Sequence, residues 1–143
     1  MTHRFRLLTL LFVLTFLSAS CGKENMCSIP IGNATCTLFL DMPDYYPLRT
    51  VGGSVNIIGG NRGVTVIRLS INEFAAYERT CPHDHDATLE VEPGSGGAVL
   101  LCPVCGSRFS TYAEGAPIDG SVTSCSLYRY STSYDGLYTL SIW

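Results

Sequence analysis

Charged residues are scarce in this chain of 143 residues: 15% are Asp, Glu, Lys or Arg, whereas 46% are hydrophobic. That composition argues against an intrinsically disordered protein, because a chain with this much apolar surface can bury enough of it to fold. A helical periodicity sustained over ten residues or more is also missing, which disfavours a helical bundle. The 14 glycines and 7 prolines instead indicate many turns, as in an all-β fold.

An excess of positive charge is absent as well. If residues 1–20 are removed, 7 basic residues remain against 12 acidic ones, a net charge of −5. An acidic protein lacks the basic patches that attract phosphates, so the sequence predicts no nucleic-acid partner. The chain also shows no Ser–His–acid triad motif and no phosphate-binding loop. We therefore expect no small-molecule substrate.

The apolar run at residues 7–17 is too short for a comfortable transmembrane helix. Arg4 and Arg6 precede it and small residues follow it, which is the arrangement of a secretory signal sequence. The stretch Ser18-Ala19-Ser20-Cys21 resembles the lipobox of bacterial lipoproteins. That resemblance implies cleavage before Cys21, lipid on its thiol, and a membrane-anchored location in the bacterial cell envelope. The alternative is an ordinary cleaved signal followed by an incidental cysteine.

Three segments follow: a signal peptide at residues 1–20, a tether at 21–34 and one domain at 35–143. In the domain, short β-rich runs alternate with turn residues, including a hairpin loop at Gly59–Gly63 and a tight turn at Asp135-Gly136. The predicted strands cover residues 36–40, 54–58, 64–69, 73–79, 99–101, 108–112, 127–131 and 137–142. We expect a small antiparallel β-sandwich or barrel.

Three cysteines, Cys27, Cys36 and Cys125, belong to no motif. In an exported protein they are candidates for disulfide bonding. A bond between Cys27 and Cys36 is plausible, and it would leave Cys125 as an odd cysteine or as a small buried apolar residue. The sequence does not fix this pairing.

Two segments carry the chemistry of metal ligation. The first is Cys-Pro-His-Asp-His-Asp at residues 81–86, and the second is Cys-Pro-Val-Cys-Gly-Ser at residues 102–107. Thiolates and imidazoles are the ligands that iron–sulfur clusters and zinc prefer. Proline and glycine stiffen such loops and let backbone amides turn toward sulfur, which stabilises negative charge there.

These segments resemble the Rieske family, whose pattern is Cys-x-His, a spacer of similar length, and Cys-x-x-His-Gly. The strand-like residues 64–80 before the first segment and residues 115–130 after the second also resemble that family, so the resemblance covers most of residues 50–143. It implies a [2Fe–2S] cluster with Cys81 and Cys102 on one iron, and with His83 and Cys105 on the other.

Position 105 departs from the Rieske pattern, since a cysteine stands where the family has histidine. Exchanging a neutral imidazole for an anionic thiolate adds one negative charge, so reduction should become harder. We therefore expect a potential between about −400 mV, typical of plant-type all-thiolate clusters, and about −150 mV, the lower limit of Rieske centres. Phe109 stands where high-potential Rieske proteins have a tyrosine that donates a hydrogen bond, and Ser107 remains as a hydrogen-bond donor near the cluster.

Other occupants of the site stay open. Cys-Pro-x-Cys-Gly also resembles the knuckle of rubredoxins and zinc ribbons, and the same four side chains would suit a tetrahedral zinc ion. A chain exported unfolded would need its metal inserted outside the cytoplasm, so a metal-free Rieske-fold binding module is a further alternative. His85 could replace Cys105 as the second imidazole, or it is a solvated loop residue between two acids.

Rieske domains of oxygenases work with a second domain that holds a mononuclear iron, usually on two histidines and a carboxylate. Outside residues 1–20 this chain has only two histidines, His83 and His85. We therefore expect no enzymatic chemistry by this chain alone. The resemblance implies an electron carrier that acts with a redox protein partner at the membrane.

Overall fold

The computed structural model describes residues 27–143, so the predicted signal peptide and Cys21 lie outside the described residues. A short 3-10 helix, Pro43–Arg49, follows the first strand. The strands are β1 (Cys36–Phe39), β2 (Ser54–Ile57), β3 (Val64–Arg68), β4 (Phe74–Glu78), β5 (Glu90–Val91), β6 (Val99–Leu101), β7 (Arg108–Ser110), β8 (Ala116–Pro117), β9 (Arg129–Tyr130), β10 (Thr132–Tyr134) and β11 (Thr139–Ile142). In residues 27–143, no helix has the length and hydropathy needed to cross a membrane.

The all-β antiparallel prediction is confirmed. Within residues 27–143 the strands form three sheets, with the orders β1-β11-β10, β2-β3-β4-β9 and β5-β6-β7-β8. Gly59–Gly63 lies in the turn of the β2–β3 hairpin, as predicted. Asp135-Gly136 joins β10 to β11, and Asp135 accepts hydrogen bonds from the amides of Leu137 and Thr139.

The central sheet is buried on both faces because its two middle strands alternate between two hydrophobic cores. Val64 and Val66 of β3 contribute to one core, together with apolar residues of β1 and β11. Ile67 of β3 contributes to the other core, together with Leu100 and Phe109 of the third sheet. This period of two is the geometry of a β-strand. The third sheet is thereby fixed against the central one.

The disulfide prediction was wrong. Cys27 is bonded to Cys125, with an S–S distance of 2.07 Å and a Cα–Cα distance of 5.3 Å, although 98 residues separate them in sequence. Cys36 instead carries a free, half-buried thiol on β1, packed against the first core. The Cys27–Cys36 pair was plausible from the sequence, but the fold brings the loop that contains Cys125 next to Cys27.

Residues just before the predicted domain boundary also contact the domain. The carbonyl of Gly32 accepts a hydrogen bond from the Tyr130 hydroxyl at 2.9 Å, and that of Asn33 accepts one from the Gly60 amide at 3.0 Å. Ala34 is buried in the first core. These contacts and the disulfide hold residues 27–34 against the domain. The boundaries at residues 20 and 34 stay predictions.

Glu78, the last residue of β4, is a buried carboxylate surrounded by hydrogen-bond donors. It accepts bonds from the Asn61 amide at 2.8 Å, the Arg62 amide at 3.0 Å, the Thr80 amide and hydroxyl, and the Tyr130 hydroxyl at 2.9 Å. Burial raises the pKa of Glu78, but the hydrogen bonds from Asn61, Arg62, Thr80 and Tyr130 outweigh it and lower the pKa overall. The carboxylate thus fixes the β2–β3 turn against the end of β4.

We expect the substitution Glu78→Gln to lower the free energy of unfolding by about 2–3 kcal/mol at pH 7, because a charged acceptor that several donors share is lost. A carboxylate whose pKa is depressed in the folded state contributes stability above its unfolded pKa of about 4.3 and loses it as pH falls through the folded pKa. The difference between the two proteins, measured by urea unfolding, should therefore shrink below about pH 4. The exposed Glu90→Gln is the control, and a pH-independent difference would contradict this assignment.

Candidate metal centre

Two loops converge beside the third sheet. The first loop, residues 81–87, follows the C-terminal end of β4, and an isolated bridge between Thr80 and Thr88 closes its base. The second loop, residues 102–107, is the turn of the β6–β7 hairpin. Each loop is therefore mounted on hydrogen-bonded strands, which fixes where its ligand side chains start.

Backbone hydrogen bonds fold the first loop tightly. The Cys81 amide donates to the Ala87 carbonyl at 3.1 Å, and the Ala87 amide donates to the Asp84 carbonyl at 2.9 Å. This places the Asp84 amide 3.5 Å from Cys81 Sγ, to which it donates. A main-chain N–H directed at sulfur stabilises negative charge on it, as the loop composition predicted.

The second loop turns at a glycine. The Cys102 amide donates to the Ser107 carbonyl at 2.9 Å, and the Gly106 amide donates to the Cys102 carbonyl at 3.0 Å. Gly106 has a φ of +75°, a conformation that costs other residues energy because of their Cβ atom. The turn therefore depends on glycine at position 106 to direct Cys102 and Cys105 to the same side.

Three of the four predicted ligands come together. The sulfur atoms of Cys81, Cys102 and Cys105 all lie within 4.8 Å of one another, and we refer to these three residues as the three-thiol group. Cys81 Sγ is 3.6 Å from Cys105 Sγ. Cys81 and Cys102 are fully buried and Cys105 is half-buried. The group lies next to the second core, so a bound ion there would be shielded on its inner side.

The two histidines of the first loop are placed differently from the thiols. The His83 imidazole is outside the three-thiol group, and this residue is exposed. His85 is exposed too, and its backbone carbonyl accepts a 2.7 Å hydrogen bond from Arg62 Nε. The side chain of Arg62 also pairs with Asp86 at 2.8 Å. Arg62 thus braces the first loop from the β2–β3 turn, and the carbonyl of His85 takes part in that brace.

The thiols differ in acidity. Burial raises the pKa of Cys81 to about 12, and the neighbouring Cys102 and Cys105 add to this effect, whereas the amides of Asp84 and His83 oppose it. Burial also raises the pKa of Cys105, but hydrogen bonds from the Ser107 hydroxyl and amide and from the other two thiols lower it overall. Cys105 therefore ionises more readily than Cys81. A bound cation would favour the ionised form of both thiols.

Ser107 is fully buried, and its Oγ lies 3.2 Å from Cys105 Sγ. The same oxygen accepts a hydrogen bond from the Val122 amide at 3.1 Å. Phe109, also fully buried, is part of the second core and offers no hydroxyl to the site. Ser107, predicted as a hydrogen-bonding partner near the site, is therefore in contact with the Cys105 thiol.

Sequence reasoning missed the contacts that Arg62 and Val122 make with the two loops, and it missed the disulfide between Cys27 and Cys125. Arg62 and Val122 belong to no ligand motif and approach the loops only through tertiary structure. For the disulfide, the sequence did offer a signal, since an exported chain with unassigned cysteines is expected to pair two of them. The partner was not readable from spacing.

Comparison with known proteins supports the fold. No protein-family model matches this sequence, and no curated protein matches it significantly. Among solved structures, the ferredoxin of carbazole 1,9a-dioxygenase from Nocardioides aromaticivorans IC177 is similar, with a TM-score of 0.50 and 20% sequence identity. The similarity covers 80% of this chain and 97% of the ferredoxin. The protein therefore has the small antiparallel β fold of Rieske type, with three thiols gathered where its two ligand loops meet.

Proposed function

We propose that this protein is an electron carrier that binds a [2Fe–2S] cluster through Cys81, His83, Cys102 and Cys105. The observation that carries the proposal is the meeting of three thiols from two separate loops on a Rieske-type fold. The buried Cys81 sulfur accepts a main-chain hydrogen bond and the half-buried Cys105 sulfur contacts the Ser107 hydroxyl, which fits the donor chemistry of an iron–sulfur cluster. Such a cluster supplies reversible one-electron transfer.

His83 completes the proposed ligand set. It is two residues from Cys81 on the same short loop, and its side chain is exposed to solvent. A cysteine and a histidine this close in sequence suit two neighbouring irons better than one ion. With His83 near the surface, electrons could reach a partner protein without a small molecule entering the site.

The membrane anchor is part of the same proposal. Lipid on Cys21 would hold the domain at a membrane of the bacterial cell envelope, facing the periplasm or the outside, where it would meet a redox protein partner. A disulfide between Cys27 and Cys125 fits such an oxidising compartment.

Zinc is the second candidate, and the spacing of the sulfurs favours it. A tetrahedral zinc ion with Zn–S bonds of about 2.3 Å places its sulfur ligands about 3.8 Å apart. Cys81 Sγ and Cys105 Sγ are 3.6 Å apart, close to that value, whereas thiolates on two different irons would lie farther apart. In this alternative the protein has a structural metal and carries no electrons.

An optical redox titration of the purified protein separates the two candidates. The proposed function predicts a reversible one-electron transition between about −400 and −150 mV. A midpoint above about +200 mV would refute the lowered potential expected from three thiolates. A colourless protein that contains one zinc ion per chain and shows no redox transition would refute the cluster and identify zinc as the bound metal.

A further inference from the structure

Residues 118–128, which we call the covering loop, connect β8 to β9 without forming a strand. This loop bonds to the start of β7, beside the second ligand loop. Ser121 Oγ accepts from the Arg108 amide at 3.0 Å and donates to the Arg108 carbonyl at 2.8 Å. The Val122 amide donates to Ser107 Oγ at 3.1 Å. The covering loop is therefore in direct contact with the residues that follow Cys105.

The bond from Val122 matters because it occupies one of the hydrogen-bonding positions of the Ser107 hydroxyl. A serine hydroxyl has one hydrogen to donate and two lone pairs with which to accept. One lone pair is used by the Val122 amide, and Cys105 Sγ lies 3.2 Å from the same oxygen. The Cys105 thiol donates to that oxygen and so uses its second lone pair. Both bonds meet at one oxygen, so the amide of Val122 helps to fix the Ser107 side chain beside Cys105.

The far end of the covering loop is fixed by the disulfide. Cys125, three residues after Val122, is buried and bonded to Cys27, whereas Cys27 is exposed. Two residues further on, the Leu127 amide donates to the Gly115 carbonyl at 3.0 Å. Between Ser121 and Leu127, the disulfide ties the covering loop covalently to residue 27.

We propose that the Cys27–Cys125 disulfide is a positioning element of the metal centre, acting through the Val122 amide and Ser107 on Cys105. Its effect on metal binding rests on the proposed function, while its effect on the covering loop does not. No atom of the disulfide belongs to the ligand set. Losing it should release Val122, free Ser107 to rotate, and weaken the hold on metal by the same route as removing the Ser107 hydroxyl.

The first test needs no metal. Amide hydrogen exchange is compared between the wild-type chain, the double variant Cys27→Ser/Cys125→Ser and the control Cys36→Ser. We expect faster exchange at Val122 in the double variant, little change at Leu40, whose amide bonds to the Tyr138 carbonyl, and no change at either amide in the control. Unchanged exchange at Val122 would overturn the proposal.

The second test uses zinc ion as the probe, with affinity measured by competition with a chelator. The double variant and Ser107→Ala should each weaken zinc binding about 10- to 100-fold. Combining all three substitutions should cause little further loss, since the two changes act through one contact. Losses that multiply in full, or a double variant with wild-type affinity, would overturn the positioning role.

The two tests also separate this inference from the proposed function. If the wild-type chain binds neither zinc nor iron while exchange at Val122 still depends on the disulfide, the proposed function fails and the structural link stands. If the wild-type chain binds metal and the disulfide affects neither readout, the link fails and the proposed function stands.

Discussion

Replacing Cys102 with serine should leave the purified protein almost free of bound metal. Cys102 is fully buried at the start of the second loop, and its sulfur lies within 4.8 Å of both other thiols. A serine hydroxyl does not supply the soft anionic donor that iron–sulfur clusters and zinc require. Metal content per chain, measured by elemental analysis after purification from the native host, reports the effect.

Cys36→Ser is the matched control for this substitution. Cys36 also carries a free thiol, but it packs against the first core, on β1. The control should keep the wild-type metal content, which separates loss of a ligand from a general effect of removing a thiol. Full metal content in Cys102→Ser, with a melting temperature close to that of the wild type, would contradict the proposed site.

Replacing Cys105 with histidine should raise the reduction potential by an amount on the order of 100–300 mV, into the range of Rieske centres with two imidazoles. The change exchanges an anionic thiolate for a neutral imidazole. The site then carries one negative charge fewer, so adding an electron to it costs less energy. It also removes the contact between Cys105 and the Ser107 hydroxyl. The optical redox titration described above measures the shift.

Two substitutions in the first loop serve as comparisons for Cys105→His. His83→Cys should move the potential the other way, toward about −400 mV, because it produces a fourth thiolate. His85→Cys should leave the potential unchanged, since the structure uses the backbone carbonyl of His85 in its contact with Arg62. A potential that falls in Cys105→His, or that shifts equally in His85→Cys, would contradict the assigned ligand set.

The fold was largely predictable because most strands carry a clear local signal. β3 is rich in β-branched residues, β4 is rich in apolar residues, and the β2–β3 turn is glycine-rich. Three short strands, β5, β8 and β10, were missed because two or three residues contain little periodicity and depend on their neighbours for pairing. The 3-10 helix has 7 residues, which is too short to show a helical periodicity in the sequence.

The division into three sheets was less accessible to sequence reasoning. Periodicity shows that alternate residues of a strand face opposite ways, but it does not identify what covers each face. The carboxylate of Glu78 illustrates this, since the sequence offered no sign that a charged residue at the end of β4 is buried. Its donors come from the β2–β3 turn and from Tyr130, which are distant in the chain.

The candidate site was also predictable only in part. The motifs identified both loops, and the structure brings three of their cysteines together, Cys81, Cys102 and Cys105. The assignment of His83 as a ligand stays a prediction, because its imidazole lies outside that group. The disulfide prediction failed because local spacing says nothing about a partner 98 residues away.

The most direct test of the central claim is a joint analysis of iron, acid-labile sulfide and zinc in the chain purified from its native host. The proposed function predicts two irons and two sulfides per chain with little zinc, which is the composition of a [2Fe–2S] cluster. One zinc per chain without iron or sulfide would contradict electron transfer and support the structural-metal alternative. A protein with neither metal, purified without exposure to chelators or oxidants, would contradict both.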